Sequence, residues 1–156
     1  MSDCLFCKIV NQEIPAQIVD ENEYVMAFLD ISPAADGHLL IIPKKHFTNF
    51  GLTDSVYLEK MMLLAKNLTF VLEDSLDNVM GFNYLMNSYP MAGQVIMHTH
   101  LHIIPKYAPD EGFYFGAHKK EISSEEQKKQ NLKIYKKVQS VVQKQKKSRF
   151  SKHFMA

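Results

Sequence analysis

The run His98-Thr99-His100-Leu101-His102-Ile103-Ile104 constrains this chain more than any other stretch. Three histidines at every second position, with two β-branched residues after them, have the period of a β-strand. The three imidazoles then share one face, and Met97, Leu101 and Ile103 take the other, turned to a core. Pro105 has no N–H to donate and is expected to end the ladder. A lone histidine on such a strand is most simply a satisfied core residue. Three in alternation are not, because burial disfavours the charged form of each and neighbouring imidazoles disfavour one another's protonation. One face packs and the other carries chemistry.

A chain of 156 residues, 46% hydrophobic and 22% charged, is expected to fold as a single domain rather than stay disordered. Its net charge of +1 hides an asymmetry. Eleven Lys and one Arg against three Glu from His118 onward leave that part at +9, so the preceding 117 residues carry −8. A basic tail suits nucleic acid or an anionic membrane, and equally a solvated helix face. Met1-Ser2-Asp3-Cys4 lacks the basic start and apolar run of a secretory leader, and no stretch reaches the roughly 20 apolar residues of a membrane span. The expected location is cytoplasmic.

Cys4 and Cys7 are the two cysteines of the sequence. Their spacing fits a redox pair or half of a zinc site, and so few cysteines argue against a disulfide scaffold. A thioredoxin-like redox motif follows a strand and opens a helix, whereas this pair sits at the start of the sequence. Zinc is favoured if two further ligands exist.

Residues 18–20 and 24–29 read as a hairpin across Glu21-Asn22-Glu23, and 38–42 as a third strand ended by Pro43. Between them, Pro33 and Gly37 supply turn dihedrals. From about residue 53 to 74 the period changes: Leu58, Met61, Ala65, Leu68 and Leu72 form one stripe of an amphipathic helix, widened by Met62 and Leu63. Residues 80–87 read as the fourth strand and 94–104 as the fifth. Gly93 before the histidine strand suits either a close backbone approach to an anion or a simple turn. After Tyr107 a Pro/Asp/Gly loop runs through Gly116. Ser123 with Glu126 fits a capping box, opening a helix to about Lys144 with Leu132, Tyr135, Val138 and Val142 as its stripe, followed by a basic, frayed end.

Over residues 3–110 these features resemble the histidine-triad (HIT) family. The triad followed by two apolar residues, Phe28-Leu29-Asp30-Ile31, Gly37-His38, Pro43-Lys44-Lys45-His46, Asn87 and Gly93-Gln94 agree with that family in order and spacing. The resemblance implies an α+β fold, a five-stranded antiparallel sheet with helices on one side and a C-terminal helix added, pairing as a homodimer around the long helix and the fourth strand. Residues 1–116 would be the HIT domain, and 117–156 a basic C-terminal helix and frayed tail packed on it, able to dock an unknown partner. By the same analogy Cys4, Cys7, His46 and His98 would hold a structural zinc. A Cys₂His₂ set agrees, being a closed tetrahedral shell with no open catalytic position.

The resemblance further implies attack by His100 on the α-phosphorus of a purine nucleotide, with His102 donating to a phosphate oxygen and His38 supporting the triad from the next strand. Asn87, Gly93 and Gln94 would lie near the phosphate, Asp30 at the ribose hydroxyls, and Phe28 and Ile31 against the base. The implied activity is hydrolysis of nucleoside phosphoramidates or related nucleotidyl conjugates. The alternatives are a dinucleoside polyphosphate hydrolase, or a nucleotide-binding interaction module with little turnover. The chain departs from the family pattern at Val95, where eukaryotic phosphoramidase members carry serine, and at Tyr89, where many members have glycine. Having His102 rather than the glutamine of the uridylyltransferase branch argues for hydrolysis over transfer to a sugar phosphate.

Overall fold

The computed structural model describes residues 3–113, 116 and 123–153, the last seven of these by backbone alone. Residues 114–115 of the expected loop, 117–122 at the start of the expected tail and 154–156 at its end lie outside the described residues. The chain forms two compact units, 1–115 and 116–156.

The first unit contains α1 (Leu5–Val10), β1 (Ile18–Glu21), β2 (Val25–Leu29), β3 (Leu39–Pro43), α2 (Ser55–Ser75), β4 (Gly81–Leu85) and β5 (Leu101–Lys106). The five strands make one antiparallel sheet in the order β1-β2-β3-β5-β4. β2 and β3 lie in its middle, and alternation divides their side chains between two cores. Val25, Ala27, Leu39 and Ile41 join Leu101 and Ile103 beneath α2. Met26, Phe28, Leu40 and Ile42 pack on the opposite face with Phe6 and Ile9 of α1, a short helix absent from the sequence reading.

α2 buries Met61, Leu64, Ala65, Leu68 and Leu72, a single face at 3.6 residues per turn. Met62 and Leu63, expected to widen that stripe, are 55% and 54% exposed, and Leu64 takes the inward position instead.

The histidine strand is shorter at its start and longer at its end than its sequence implies. Residues 94–100 stay outside the ladder because their backbone groups bond elsewhere: His98 N–H donates to the Ile96 carbonyl (2.8 Å) and Thr99 N–H to that of Phe47 (2.7 Å). β3 ends at Pro43 as expected, although Pro43 is itself paired, whereas β5 runs one residue past Pro105. The Lys106 carbonyl accepts from Met80 N–H, so it points toward β4, and the two-residue alternation turns the Pro105 nitrogen toward β3, beyond its last pairing at Leu39 and Ile103. Likewise Lys44 N–H donates to Tyr24, which turns Pro43 away from β2 toward residues where no ladder forms.

Gly37 has φ +76°, and a Cβ there would lie 2.5 Å from the Leu76 side chain, so this turn requires glycine. In the second unit α3 spans Ser124–His153, past the expected end near Lys144. Ser123 Oγ accepts from Glu126 N–H at 3.3 Å, as a capping residue does.

Candidate active site and metal centre

His98 and His100 are buried and His102 is half-buried. The alternation expected of the run holds although its first half is not ladder. Thr99 points to the α2 side, its hydroxyl 2.8 Å from that of buried Thr53, and Leu101 enters the core beneath α2. The three imidazoles lie on the other side with α1.

Their hydrogen-bond partners differ, and each partner fixes a tautomer. His98 donates through Nε2 to the Pro43 carbonyl at 2.9 Å. Its Nδ1 lone pair therefore faces Cys4 Sγ at 3.5 Å and Cys7 Sγ at 3.6 Å, while His46 Nδ1 lies 3.3 Å from Cys7 Sγ. Burial, reinforced by His46 and His100, pulls His98 down to about 4 despite the opposing Pro43 hydrogen bond, so it is neutral and ready to ligate. Burial and the neighbouring Cys4 push the Cys7 thiol up to about 11. Two thiols crowded together resist joint ionisation unless a cation joins them.

The four ligand atoms all lie within 4.8 Å of one another. Zinc bond lengths at a tetrahedral angle place sulfur and nitrogen ligands about 3.6 Å apart, which the observed spacings nearly match. The donor set therefore fits a zinc ion, held by Cys4, Cys7, His46 and His98.

His100 donates through Nδ1 to the His98 carbonyl at 2.6 Å, which leaves its Nε2 lone pair free. Phe6 stands edge-on to this ring, centroids 5.3 Å apart, and also to His98 and Phe28 at 5.8 and 5.7 Å.

His102 belongs to a different chain of bonds. The Ala34 N–H donates to His38 Nδ1 at 3.1 Å, so neutral His38 carries its proton on Nε2. That proton points at His102 Nδ1, 2.9 Å away. His102 must then hold its own proton on Nε2, as an outward donor. Burial, with His100 and His38 reinforcing it and Asp30 opposing, pulls His102 down to about 4. His38 is lowered by burial against the pull of Asp30. Asp30, His38 and His102 also cluster closely enough to suit a metal. The Ala34 amide argues otherwise, because a metal on His38 Nε2 would move the proton to Nδ1 and set two donors face to face.

Of the remaining expected site residues, Phe28 is buried against Phe6, and Asp30 accepts the Ser32 N–H at 2.8 Å, with its other oxygen 3.7 Å from His38 Nε2. Ile31 stands 92% exposed beyond the end of β2. Asn87 Nδ2 donates to the Gly93 carbonyl at 3.3 Å. Gly93 has φ +86°. Gln94 is buried beneath this loop. Its amide donates to the Thr48 and Ile96 carbonyls and its Oε1 accepts from Tyr89 N–H, which leaves no donor for a phosphate oxygen. Val95 is exposed.

Tyr89 adopts φ 71°, ψ 154°, a backbone region nearly restricted to glycine. The loop thus keeps a glycine-type conformation without glycine, held by Gln94 and by Ala92 N–H donating to the Tyr89 carbonyl at 3.0 Å.

Sequence reasoning missed Phe6, the Ala34 amide and the carbonyls of Pro43 and His98. Phe6 was detectable, since Phe6 and Ile9 are spaced as neighbours on one helix face. The others are backbone groups, which residue identity does not reveal.

The HIT domain profile matches residues 11–109. This chain belongs to the HIT family. Among HIT relatives, the uncharacterised HIT-like protein MG132 of Mycoplasma genitalium is 46% identical over 118 residues, 76% of this chain and 83% of its own length. The adenosine 5'-monophosphoramidase HNT1 of Candida albicans is 40% identical over 108 residues, 67% of this chain and 71% of its own. A solved HIT family protein from Bacillus anthracis superposes with TM-score 0.78 at 32% identity, covering 90% of this chain and 97% of that one. A zinc-bound histidine triad family protein from Mycobacterium smegmatis superposes with TM-score 0.67 at 30% identity, covering 72% and 81%. The α+β sheet described above is the HIT fold.

Proposed function

We propose that this protein is a nucleotide hydrolase that cleaves nucleoside phosphoramidates or related nucleotidyl conjugates at the α-phosphate, releasing the nucleoside monophosphate. The observation that carries this reading is the tautomer pair in the triad: a bare Nε2 on His100 beside an Nε2–H on His102, ring centroids 4.9 Å apart. A lone pair and a proton donor side by side suit displacement at phosphorus. The monophosphoramidase name of the Candida relative supports the same class.

His100 Nε2 attacks the α-phosphorus, the P–N bond forms and the bond to the leaving group breaks. Water then attacks the same phosphorus, the new P–O bond forms as the P–Nε2 bond breaks, the water proton passes to solvent, and the nucleoside monophosphate leaves with His100 Nε2 bare again. His102 donates from Nε2 to a non-bridging oxygen as charge gathers there, and His38 holds that proton in place. Asp30 takes the ribose hydroxyls, Phe28 and Ile31 wall the purine, and Asn87 and Gly93 lie near the phosphate on the loop that Gln94 shapes, the Gly93 N–H itself being given to the Pro90 carbonyl at 2.9 Å.

Cys4, Cys7, His46 and His98 would hold zinc in a structural role, fixing the His98 backbone on which His100 leans. The zinc-bound Mycobacterium neighbour supports this. The proposed assembly is a homodimer through α2 and β4, supported by Met62, Phe70 and Tyr84, which line one apolar groove and are 55%, 57% and 48% exposed. Among the described residues no helix is long and apolar enough to cross a membrane, and we place the enzyme in the cytoplasm.

Intact-protein mass spectrometry after mixing with a slow adenylylated substrate tests the mechanism. One nucleotidyl group on His100 is expected. Turnover with no adduct at any quench time, or an adduct on another residue, would contradict it. Relative rates on adenosine phosphoramidate and diadenosine polyphosphates separate the two hydrolase readings, and absence of turnover on both would leave a binding module.

A further inference from the structure

Cys4-x-x-Cys7 has the spacing of a redox pair as well as of a metal half-site, and the structure supplies one of the two features of a thioredoxin-like pair, since among the described residues no strand precedes it. The motif opens a helix: Cys4 is the N-cap of α1 and Cys7 lies in its first turn. We propose that Cys4 and Cys7 form an oxidisable pair, whose conversion to a disulfide by a peroxide expels zinc and loosens the support of His100. The proposal rests on the zinc reading above.

Both thiols are partly exposed, and they are the two cysteines of the chain, so they have no rival partner within it. Their sulfurs lie within 4.8 Å of each other, so a disulfide requires both side chains to turn toward one another until the sulfurs stand about 2.05 Å apart. Oxidation then has two routes to the nucleophile. Phe6, between the two cysteines, meets the rings of His98 and His100 edge-on at 5.8 and 5.3 Å. His98 would lose its thiolate-held metal, and its carbonyl anchors His100 Nδ1 at 2.6 Å.

The chemistry balances with hydrogen peroxide as oxidant. One thiolate attacks a peroxide oxygen; the S–O bond forms, the O–O bond breaks, and hydroxide leaves to be protonated to water. The second thiolate attacks the sulfenic sulfur; the S–S bond forms and a second hydroxide leaves, again becoming water. The sulfurs give up two electrons and the peroxide takes them. Zinc departs as the unchanged divalent ion, because a disulfide is a far poorer ligand than two thiolates.

The test treats zinc-loaded, full-length protein with hydrogen peroxide in the presence of a chromophoric zinc chelator, following thiols, intact mass and single-turnover nucleotidylation of His100. Zinc release should track the loss of both thiols, with the protein about 2 Da lighter than its reduced apo form. Dithiothreitol with added zinc should reverse both changes. Nucleotidylation should slow about tenfold or more. Zinc retained while thiols disappear, or sulfinic acid in place of a disulfide, would overturn the proposal. So would equal peroxide slowing in a Cys4→Ser/Cys7→Ser double variant, which would locate the damage elsewhere. Zinc, thiol and mass readings involve no nucleotide, so they fail separately from the hydrolase reading. A protein purified without chelator that carries no zinc would defeat the metal reading itself.

Discussion

The two ends of the histidine triad carry the same residue, and its hydrogen-bond partners turn the two rings opposite ways. His98 and His102 are both pulled down to about 4, chiefly by burial, and both are neutral. At His98 the Pro43 carbonyl takes the Nε2 proton and turns the Nδ1 lone pair to two thiols. At His102 the His38 N–H fills Nδ1 and turns the Nε2 proton outward. On the proposed function one end would serve as a ligand and the other as a donor. The difference comes from which polar group of a neighbouring strand or loop reaches which ring nitrogen. Between them His100 borrows a carbonyl from the metal end and stands ring to ring with the donor end.

Variants that separate the two ends differ widely in their expected effects. His100→Ala removes the proposed nucleophile and should lower turnover by about a thousandfold or more, as losses of a covalent nucleophile do. Melting temperature and zinc content should stay near wild type, and turnover kinetics beside metal analysis check both. Cys7→Ala strikes the metal end alone. It should abolish stoichiometric zinc and lower kcat about ten- to a hundredfold, read by metal analysis and steady-state kinetics.

His38→Ala strikes the donor end alone. With His102 Nδ1 unfilled, the outward proton is no longer fixed, so kcat should fall by about tenfold while KM and zinc content hold. Equal loss of zinc in this variant would erase the distinction between the ends.

Stability against pH provides a gentler test. A histidine whose folded pKa lies below its unfolded value binds fewer protons folded than unfolded, so its stabilising effect is complete above about 6.5 and is lost as pH falls toward about 4. His102→Gln should flatten the acid side of the stability profile between those values, measured by denaturant unfolding across pH. The smallest effect belongs to the loop at Tyr89. Tyr89→Gly relieves a φ of 71° and should raise stability by about 1 kcal/mol in thermal unfolding, without altering zinc.

Much of this architecture is written in residue patterns. The spacing of Met61, Ala65, Leu68 and Leu72 locates α2 and its buried face, and the alternation around His100 places three imidazoles together even where no ladder forms. What the residues do not disclose is which neighbour a backbone faces. Pro43 and Pro105 read as strand ends because each lacks a donor, yet both pair, since each turns its nitrogen to the side where the adjacent ladder stops. Met62 and Leu63 are apolar and helical like their neighbours, and only the helix's rotation on the sheet leaves them outside. The jobs of His98 and His102 depend in part on the Pro43 carbonyl and the Ala34 amide, groups that every residue or nearly every residue possesses. The motif therefore marks the site, while the register of β3 and the turn before it assigns the roles.

Nitrogen-15 NMR of the imidazoles in zinc-loaded protein near neutral pH tests that assignment most directly. The account predicts His98 metal-bound at Nδ1 and protonated at Nε2, His100 protonated at Nδ1 with Nε2 bare, and His102 protonated at Nε2. A His100 proton on Nε2, or a bare Nε2 on His102, would contradict it.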